Sequence, residues 1–322
     1  MPAPRSTRRR WAGAAALPWV AWAAVRSTGS ERGFPLVPAV AFTPYAAATA
    51  VVPLAAAVWA RSRTGAVLSA GAGAALAAAV LSRGDGSHVG PDADGVRLRV
   101  ATVSLRKGHV PPGPVLDLVR RHRIDVLAAQ ELTPRAEAAL VAAGVCGLLP
   151  HVHVLPARPG AVPSASGAVW TRFPIEARGA VPGGFEQPTV LLRPEGGPAV
   201  ELTSVHSFPP AISPSAVRAW TRDLAALPAP SDDVLRVLAG DFNATFDHAA
   251  MRAVLARGYA DASVRAGRGL AWTWRPLRLR VPRLSLDHVL IDPRIGVASV
   301  ELVPVAGSDH LAVVAELVLP HG

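Results

Sequence analysis

Asp241 and Asn243 stand at alternate positions in Gly240-Asp241-Phe242-Asn243-Ala244-Thr245, just behind the apolar run Val237-Leu238-Ala239. Alternate side chains of an extended segment face the same way. The carboxylate and the amide therefore project together from the end of a buried strand. An acid beside an amide suits a proton acceptor next to a hydrogen-bonding clamp. Ser308-Asp309-His310 supplies a second acid and an imidazole after a later turn. Glu131 follows Gln130 at the end of an apolar strand over 124–131, and Asp287 lies inside the apolar run 284–291. A charge within a buried run is costly unless it is paired or bound to a metal, so both acids need partners. Taken singly, each short string reads as well as a turn or a helix cap.

Their order along the chain carries more information. An opening strand, Leu98-Arg99-Val100-Ala101-Thr102-Val103-Ser104, precedes Gln130-Glu131. Ala168-Val169-Trp170-Thr171-Arg172-Phe173-Pro174-Ile175 and Ser204-Val205-His206 follow, the latter leading into Pro209-Pro210. Gly240-Asp241-Phe242-Asn243, Thr273-Trp274, Leu286-Asp287-His288-Val289 and Gly307-Ser308-Asp309-His310 complete the series. Over about residues 97–320 the sequence resembles the endonuclease/exonuclease/phosphatase superfamily, the fold of DNase I, in a membrane-anchored, bacterial-type member.

The resemblance implies divalent-metal-dependent hydrolysis of phosphodiester or phosphomonoester bonds, with Mg²⁺ as cofactor and Mn²⁺ as its substitute. By the same resemblance Glu131 is the main metal ligand, with Asp309 nearby. Asp241 orients or deprotonates the attacking water, and Asn243 hydrogen-bonds the phosphoryl group. His310 contacts a phosphate oxygen, Asp287 pairs with His310, and His206 is a second imidazole on the phosphate. One position departs from the family pattern. The first strand normally ends in Asn, and here that place is Ser104. Its shorter hydroxyl can still bond a metal-bound water. Arg275, Arg278, Arg280 and Arg283 precede Asp287 and could grip a phosphate bidentately or lie on anionic headgroups. A solvated loop explains them equally well. The substrate is nucleic acid, or a lipid or other small phosphoester, and no protein partner is inferable. The competing function is a catalytically weakened, membrane-anchored protein that binds phosphate-bearing ligands, a reading that Ser104 favours.

Other conspicuous residues have simpler expectations. His288 faces away from Asp287 in a strand and reads as structural. His151 and His153 alternate in a strand-like stretch without forming a metal pair. Trp272 and Trp274 suit a core or rim. Cys146, the one cysteine, excludes internal disulfides and is expected to be a small buried apolar residue.

The elements that must position the site alternate along the soluble part. Strands are expected at 98–104, 124–129, 168–172, 189–193, 199–206, 234–239, 286–291, 297–303 and 311–319. Helices are expected at 114–122, 135–143, 213–226 and 247–256. This alternation suits an α/β fold in which two β-sheets pack face to face as a sandwich flanked by helices.

The 322-residue chain is 50% hydrophobic, enough for a full core and a membrane segment besides. Its net charge of +10 does not mark a nucleic-acid-binding domain. Residues 1–85 hold nine arginines against Glu31 and Asp85, a net +7, which leaves only +3 for the rest. Residues 1–82 read as an N-terminal membrane region of about three transmembrane helices, 11–25, 34–60 and 65–82. The first is short, contains Pro18, and could instead be a signal-peptide core. Three spans put Arg5, Arg8, Arg9, Arg10, Arg61 and Arg63 on the cytoplasmic side. The chain is then a multi-pass protein of the cell membrane with an extracytoplasmic catalytic domain. Residues 83–96 are Gly- and Asp-rich, a linker by composition, and 97–322 form the catalytic domain. Restoring the family's amide by Ser104→Asn is expected to keep or raise hydrolysis. A large loss of rate in a turnover assay would give Ser104 a distinct role.

Overall fold

The computed structural model of the chain describes residues 5–84, 86 and 95–321. The N-terminal part is helical: α1 (Arg5–Thr28), α2 (Leu36–Val40), α3 (Thr43–Thr49), α4 (Val51–Trp59) and α5 (Arg63–Leu81). The second expected segment is thus broken into three short helices. Proline lacks an N–H donor and is tolerated mainly in a first turn; Pro44 opens α3, and Pro38 and Pro53 lie early in α2 and α4. Among the described helices, α5 is long and apolar enough to cross a membrane by length and composition. Its 19 residues rise about 28 Å, close to the ~30 Å hydrocarbon core. Gly65 allows α1 to lie close against it, because a Cβ there would sit 3.1 Å from the Ala12 backbone.

The helical part is docked onto the globular part. Val37 is buried in one core cluster with Val217, Trp220 and Met251, and Ala41 packs with Leu284 and Leu286. Arg26 and Arg83 both pair with the buried carboxylate of Asp247. Glu31 accepts the Ala249 N–H at the start of a helix, where unpaired backbone donors favour a carboxylate. Most of the expected linker lies outside the described residues.

In the globular part the elements run β1 (Val96–Ser104), α6 (Pro112–Arg121), β2 (Val126–Leu132), α7 (Pro134–Ala142), β3 (His151–Leu155), β4 (Ser166–Thr171), β5 (Ile175–Val181), β6 (Gln187–Leu192) and β7 (Val200–His206). They continue with α8 (Pro214–Ala226), β8 (Leu235–Asp241), α9 (Ala249–Leu255), β9 (Ala260–Asp261), α10 (Ala262–Arg265), β10 (Asp287–Ile291), β11 (Gly296–Pro304) and β12 (Leu311–Leu319). Two six-stranded sheets form, in the orders β11-β12-β1-β2-β4-β3 and β5-β6-β7-β8-β10-β9. They face each other across a core that includes Val100, Val126 and Val169 from one sheet and Leu202, Val237 and Val289 from the other. Helices α6 and α7 cover the outer face of the first sheet, and α8 and α9 that of the second. Strands buried on both faces need apolar side chains on both. That is why β2 and β8 read as continuous hydrophobic runs rather than alternating ones.

Two parallel pairings matter for the site. β1 runs parallel to β2 and β7 to β8, each joined through a helix as a parallel connection requires. Glu131 near the end of β2 and Asp241 at the end of β8 line one cavity, so both pairs end at the same edge of the sandwich.

The expected strands and helices are present within a few residues, and the seven-residue β5, the two-residue β9 and the short helix α10 were not foreseen. Cys146 is a correction: it is exposed, not buried. It lies in the one-turn helix Val145–Gly147, where Val145 supplies the buried side chain instead.

Gly240 lies where β8 meets β7, and a Cβ there would sit 1.9 Å from the Val205 carbonyl oxygen. Backbone must move to admit any side chain. Gly240→Ala is therefore expected to destabilise the fold by about 3 kcal/mol, read as a lowered denaturation midpoint.

Candidate active site

Register brings the polar motifs together. His206 on β7 lies opposite Asp241 on β8, and Asp241 lies opposite Asp287 on β10. Three strand ends thus place three buried polar side chains in one row. His310 stands one residue before β12 and reaches the row from the other sheet. Its Nδ1 is 2.8 Å from Asp287 Oδ2 and its Nε2 is 4.0 Å from Asp241 Oδ2.

Burial sets the electrostatics. It pushes the Asp241 carboxyl up to about 7, with the Asp287 charge adding to the rise and His310 opposing it. For His310 burial disfavours the charge, yet Asp287, Asp241 and Asp309 outweigh it and raise the imidazole to about 10. His310 is therefore a cation at neutral pH, with Nδ1–H donating to Asp287. His206 moves the other way. Burial, and then the charge on His310, lowers it to about 3, so it is neutral. Its ring packs 4.4 Å from that of Phe185, and its Nδ1 has no hydrogen-bond partner.

Sequence reasoning underrated one dipeptide. Thr273 Oγ1 accepts the backbone N–H groups of Leu286 and Asp287, at 2.9 and 3.0 Å, and fixes the start of β10. Trp274 pairs through its backbone with Leu284 and His310, and its indole N–H donates to Asp309 Oδ2 at 3.2 Å. Trp274 is thus a positioning residue for Asp309 rather than filler for a core or rim. Its place in the ordered motif series was the available signal.

Asn243 curls back on Asp241. Its φ of 47° is left-handed, a conformation Asn tolerates better than most residues. Its backbone N–H donates to Asp241 Oδ1, and its amide nitrogen donates to Ser207 O and Asp241 Oδ2. In this arrangement the amide holds the carboxylate, and contact with a phosphoryl group needs one donation released.

Glu131 is also left-handed, at φ 56°, where the pairing of β2 with β4 shifts register. Such conformations cost about 1–3 kcal/mol outside glycine, and bulges re-aim side chains beside sites. Here the shift turns Glu131 away from the Gln130 face and into the same cavity as Asp309. One carboxylate oxygen accepts the Lys107 N–H. Burial raises the Glu131 pKa, the Lys107 N–H and His310 oppose the rise, and Asp309 adds to it. Gln130 ties the two sheets together, accepting from Thr102 and donating to Ser204. Ser104 is fully buried, and its hydroxyl has no hydrogen-bond partner.

Two groupings could attract a cation. Asp241, Asp287 and His310 offer ligand atoms within 4.8 Å of one another. A charged imidazole already donating to a carboxylate is a poor ligand, however, since metal binding needs the neutral ring. Glu131 and Asp309 are two hard carboxylates in one cavity, with the unpartnered Ser104 hydroxyl at the end of the adjacent strand. That donor set fits a hydrated Mg²⁺.

The cavity has a volume of about 850 Å³ and is lined by Glu131, His206, Asp241, Asn243, Asp309 and His310, among others. None of the four arginines of the 275–283 loop lines it. Arg275 and Arg283 donate to carbonyls of their own loop, and Arg283 stacks 4.9 Å from the Trp272 ring. His288 is held between Asp261 and the Ala244 carbonyl. His153 bonds the Gly179 carbonyl.

The Endonuclease/Exonuclease/phosphatase family pattern matches residues 101–310, and the chain belongs to that family. Phosphoester hydrolysis is the class of chemistry that membership supports. An endonuclease/exonuclease/phosphatase structure from Beutenbergia cavernae is 21% identical, with TM-score 0.52, covering 69% of this chain and 72% of that one. A humanized D. rerio TDP2 is 13% identical, with TM-score 0.55 and coverage of 69% and 98%. A mannosyl-6-phosphatase of Bacteroides thetaiotaomicron is 17% identical, with TM-score 0.50 and coverage of 69% and 100%. At these identities the likeness is one of fold. No curated protein sequence matches the chain.

The Asp287–His310 pair leaves a linkage signature. Folded His310 holds its proton to about pH 10, whereas in the unfolded chain it loses it near 6.5. The stability this contributes is full below about 6.5 and drains as pH rises toward 10. Asp287→Asn is expected to lower the His310 pKa, read by NMR titration, and to flatten the alkaline fall in stability.

Proposed function

We propose that the chain is a membrane-anchored, divalent-cation-dependent phosphoesterase that hydrolyses its substrate by direct water attack. The observation that carries this is the convergence of Glu131, Asp241, Asn243, Asp309 and His310 on one cavity from both sheets. Asp241, raised to about 7, is matched to a general base working near neutrality. Water oxygen bonds to phosphorus as one P–O ester bond breaks. The water's proton passes to Asp241, and the departing ester oxygen takes a proton from solvent. His310, held charged by Asp287, supplies an N–H and a positive charge for a phosphate oxygen as negative charge accumulates. His206, neutral, offers a second ring to the same oxygens. Asn243 keeps Asp241 aimed until substrate competes for its amide. Glu131 and Asp309 would hold Mg²⁺, or Mn²⁺ in its place, and the cation would supply neutralisation of the phosphate charge.

The anchoring reading rests on how charge is distributed along the helical bundle. Arg8 lies over the Trp59 ring, and Ser62 bonds the Arg9 carbonyl, at the end away from the globular part. Arg26, Glu31 and Arg83 lie at the end that touches it. With three crossings, the positive-inside rule puts the first end in the cytoplasm and the catalytic domain outside.

The second reading, a weakened phosphate-ligand-binding protein, is motivated by Ser104, and one panel separates the two. Plasmid DNA, RNA, bis-p-nitrophenyl phosphate and phospholipids are assayed with Mg²⁺, with EDTA, and with Asp241→Ala. The expected outcome is Mg²⁺-dependent turnover that EDTA abolishes and that Asp241→Ala reduces by about 10²–10⁴-fold. Tight binding of phosphate compounds without turnover of any substrate would decide for the second reading.

A further inference from the structure

The walls of the catalytic cavity differ in character from its floor. Above the polar residues, the lining is apolar, and part of it comes from outside the catalytic fold. Pro38, Ala41 and Phe42, from α2 and the turn into α3, form one wall. Ile212, in the loop after β7, faces the same cavity and is 69% exposed. Val162, likewise a lining residue, is 58% exposed. Open apolar rims of this kind mark surfaces that take an apolar ligand.

Phe42 also lines a second cavity of about 300 Å³, on the helical bundle itself, with Trp19, Trp22 and Tyr45. The indole N–H groups of Trp19 and Trp22 donate to Ala46 O and Thr43 Oγ1, and both rings, packed against the Ala23, Ala72 and Leu76 cluster, also line this apolar trough. One aromatic side chain therefore stands between the catalytic cavity and the trough on the helices.

A polyanionic strand would ask for something else, namely a track of cations along its backbone. Lys107 is the one lysine or arginine among the described residues lining the catalytic cavity. In the nearby arginine-rich loop Arg275 and Arg283 turn their guanidinium groups toward the loop's own carbonyls, and none of its four arginines lines the cavity.

We propose that the substrate is a phosphoester carrying a long hydrocarbon chain, its phosphate on the Asp241–His310 floor and its chain leaving past Phe42 into the trough between α1 and α3. This rests on the phosphoesterase reading above. It names the substrate class for that same site and gives the helical bundle a part in binding it.

The test uses the full chain in detergent micelles. Two matched pairs of substrates are compared: phosphatidylglycerol against its deacylated counterpart, and dodecyl phosphate against ethyl phosphate. A single-stranded oligonucleotide is the fifth arm. The expected result is a kcat/KM at least about 100-fold higher for the long-chain member of one pair, and which pair responds distinguishes diester from monoester. Phe42→Asp and, independently, Ile212→Asp should each lower that long-chain preference by about 10-fold, the order expected for losing one buried apolar side chain. Equal rates for long and short members, a preference for the oligonucleotide, or an unchanged preference in both variants overturns the lipid assignment and leaves the phosphoesterase standing. No turnover in any arm overturns both.

Discussion

Three ionisable side chains, Asp241, Asp287 and His310, are buried within reach of one another, and the site depends on how their charges are shared. Two unneutralised carboxylates in so dry a place would repel strongly. The imidazolium between them resolves this by donating to Asp287 and leaving its second N–H near Asp241. Burial and the Asp287 charge, against the pull of His310, hold the Asp241 carboxyl up at about 7, ready to take a proton. The same three residues come from β8, β10 and the lead-in to β12, so both sheets must be assembled before the charges can balance.

The surrounding backbone is strained or restricted where it serves this cluster. Lys107, Glu131 and Asn243 all have positive φ and all line the cavity. Gly240 is compressed against β7 so that Asp241 can emerge level with His206. Thr273, Ser308 and Gln187 then satisfy backbone donors at the strand ends. Stability is being exchanged for placement at this edge, and the apolar cluster between the sheets supplies the margin.

Much of the fold was legible because buried strands and amphipathic helices leave distinct periods in the sequence. β2, β8 and β12 carry the consecutive apolar residues 126–129, 237–239 and 311–315, and α6 repeats Val115, Leu116, Leu118 and Val119 on one face. The candidate site was legible as an ordered set of polar strings at strand ends. What stayed hidden depends on three-dimensional register. No local pattern says that the bulge before Leu132 turns Glu131 into the cavity, or that Trp274 reaches across to Asp309. The segment 34–60 reads as one apolar stretch, and only its prolines hint at three pieces. Cys146 was misplaced because a small apolar residue beside Val145 gives no clue to which of the two faces inward. The docking of Val37 and Ala41 was equally invisible, since long-range packing leaves no trace in composition.

That docking changes what the helical part is. Val37 fills a place in the core between α8 and α9, and Asp247 is neutralised from both the end of α1 and the end of α5. These contacts fasten the two parts at several points, where a single linker would fasten them at one. Wherever the bundle is seated, the reaction centre sits at a constant height and heading relative to it. The mouth of the cavity therefore carries the helical part's Pro38, Ala41 and Phe42 as one of its walls.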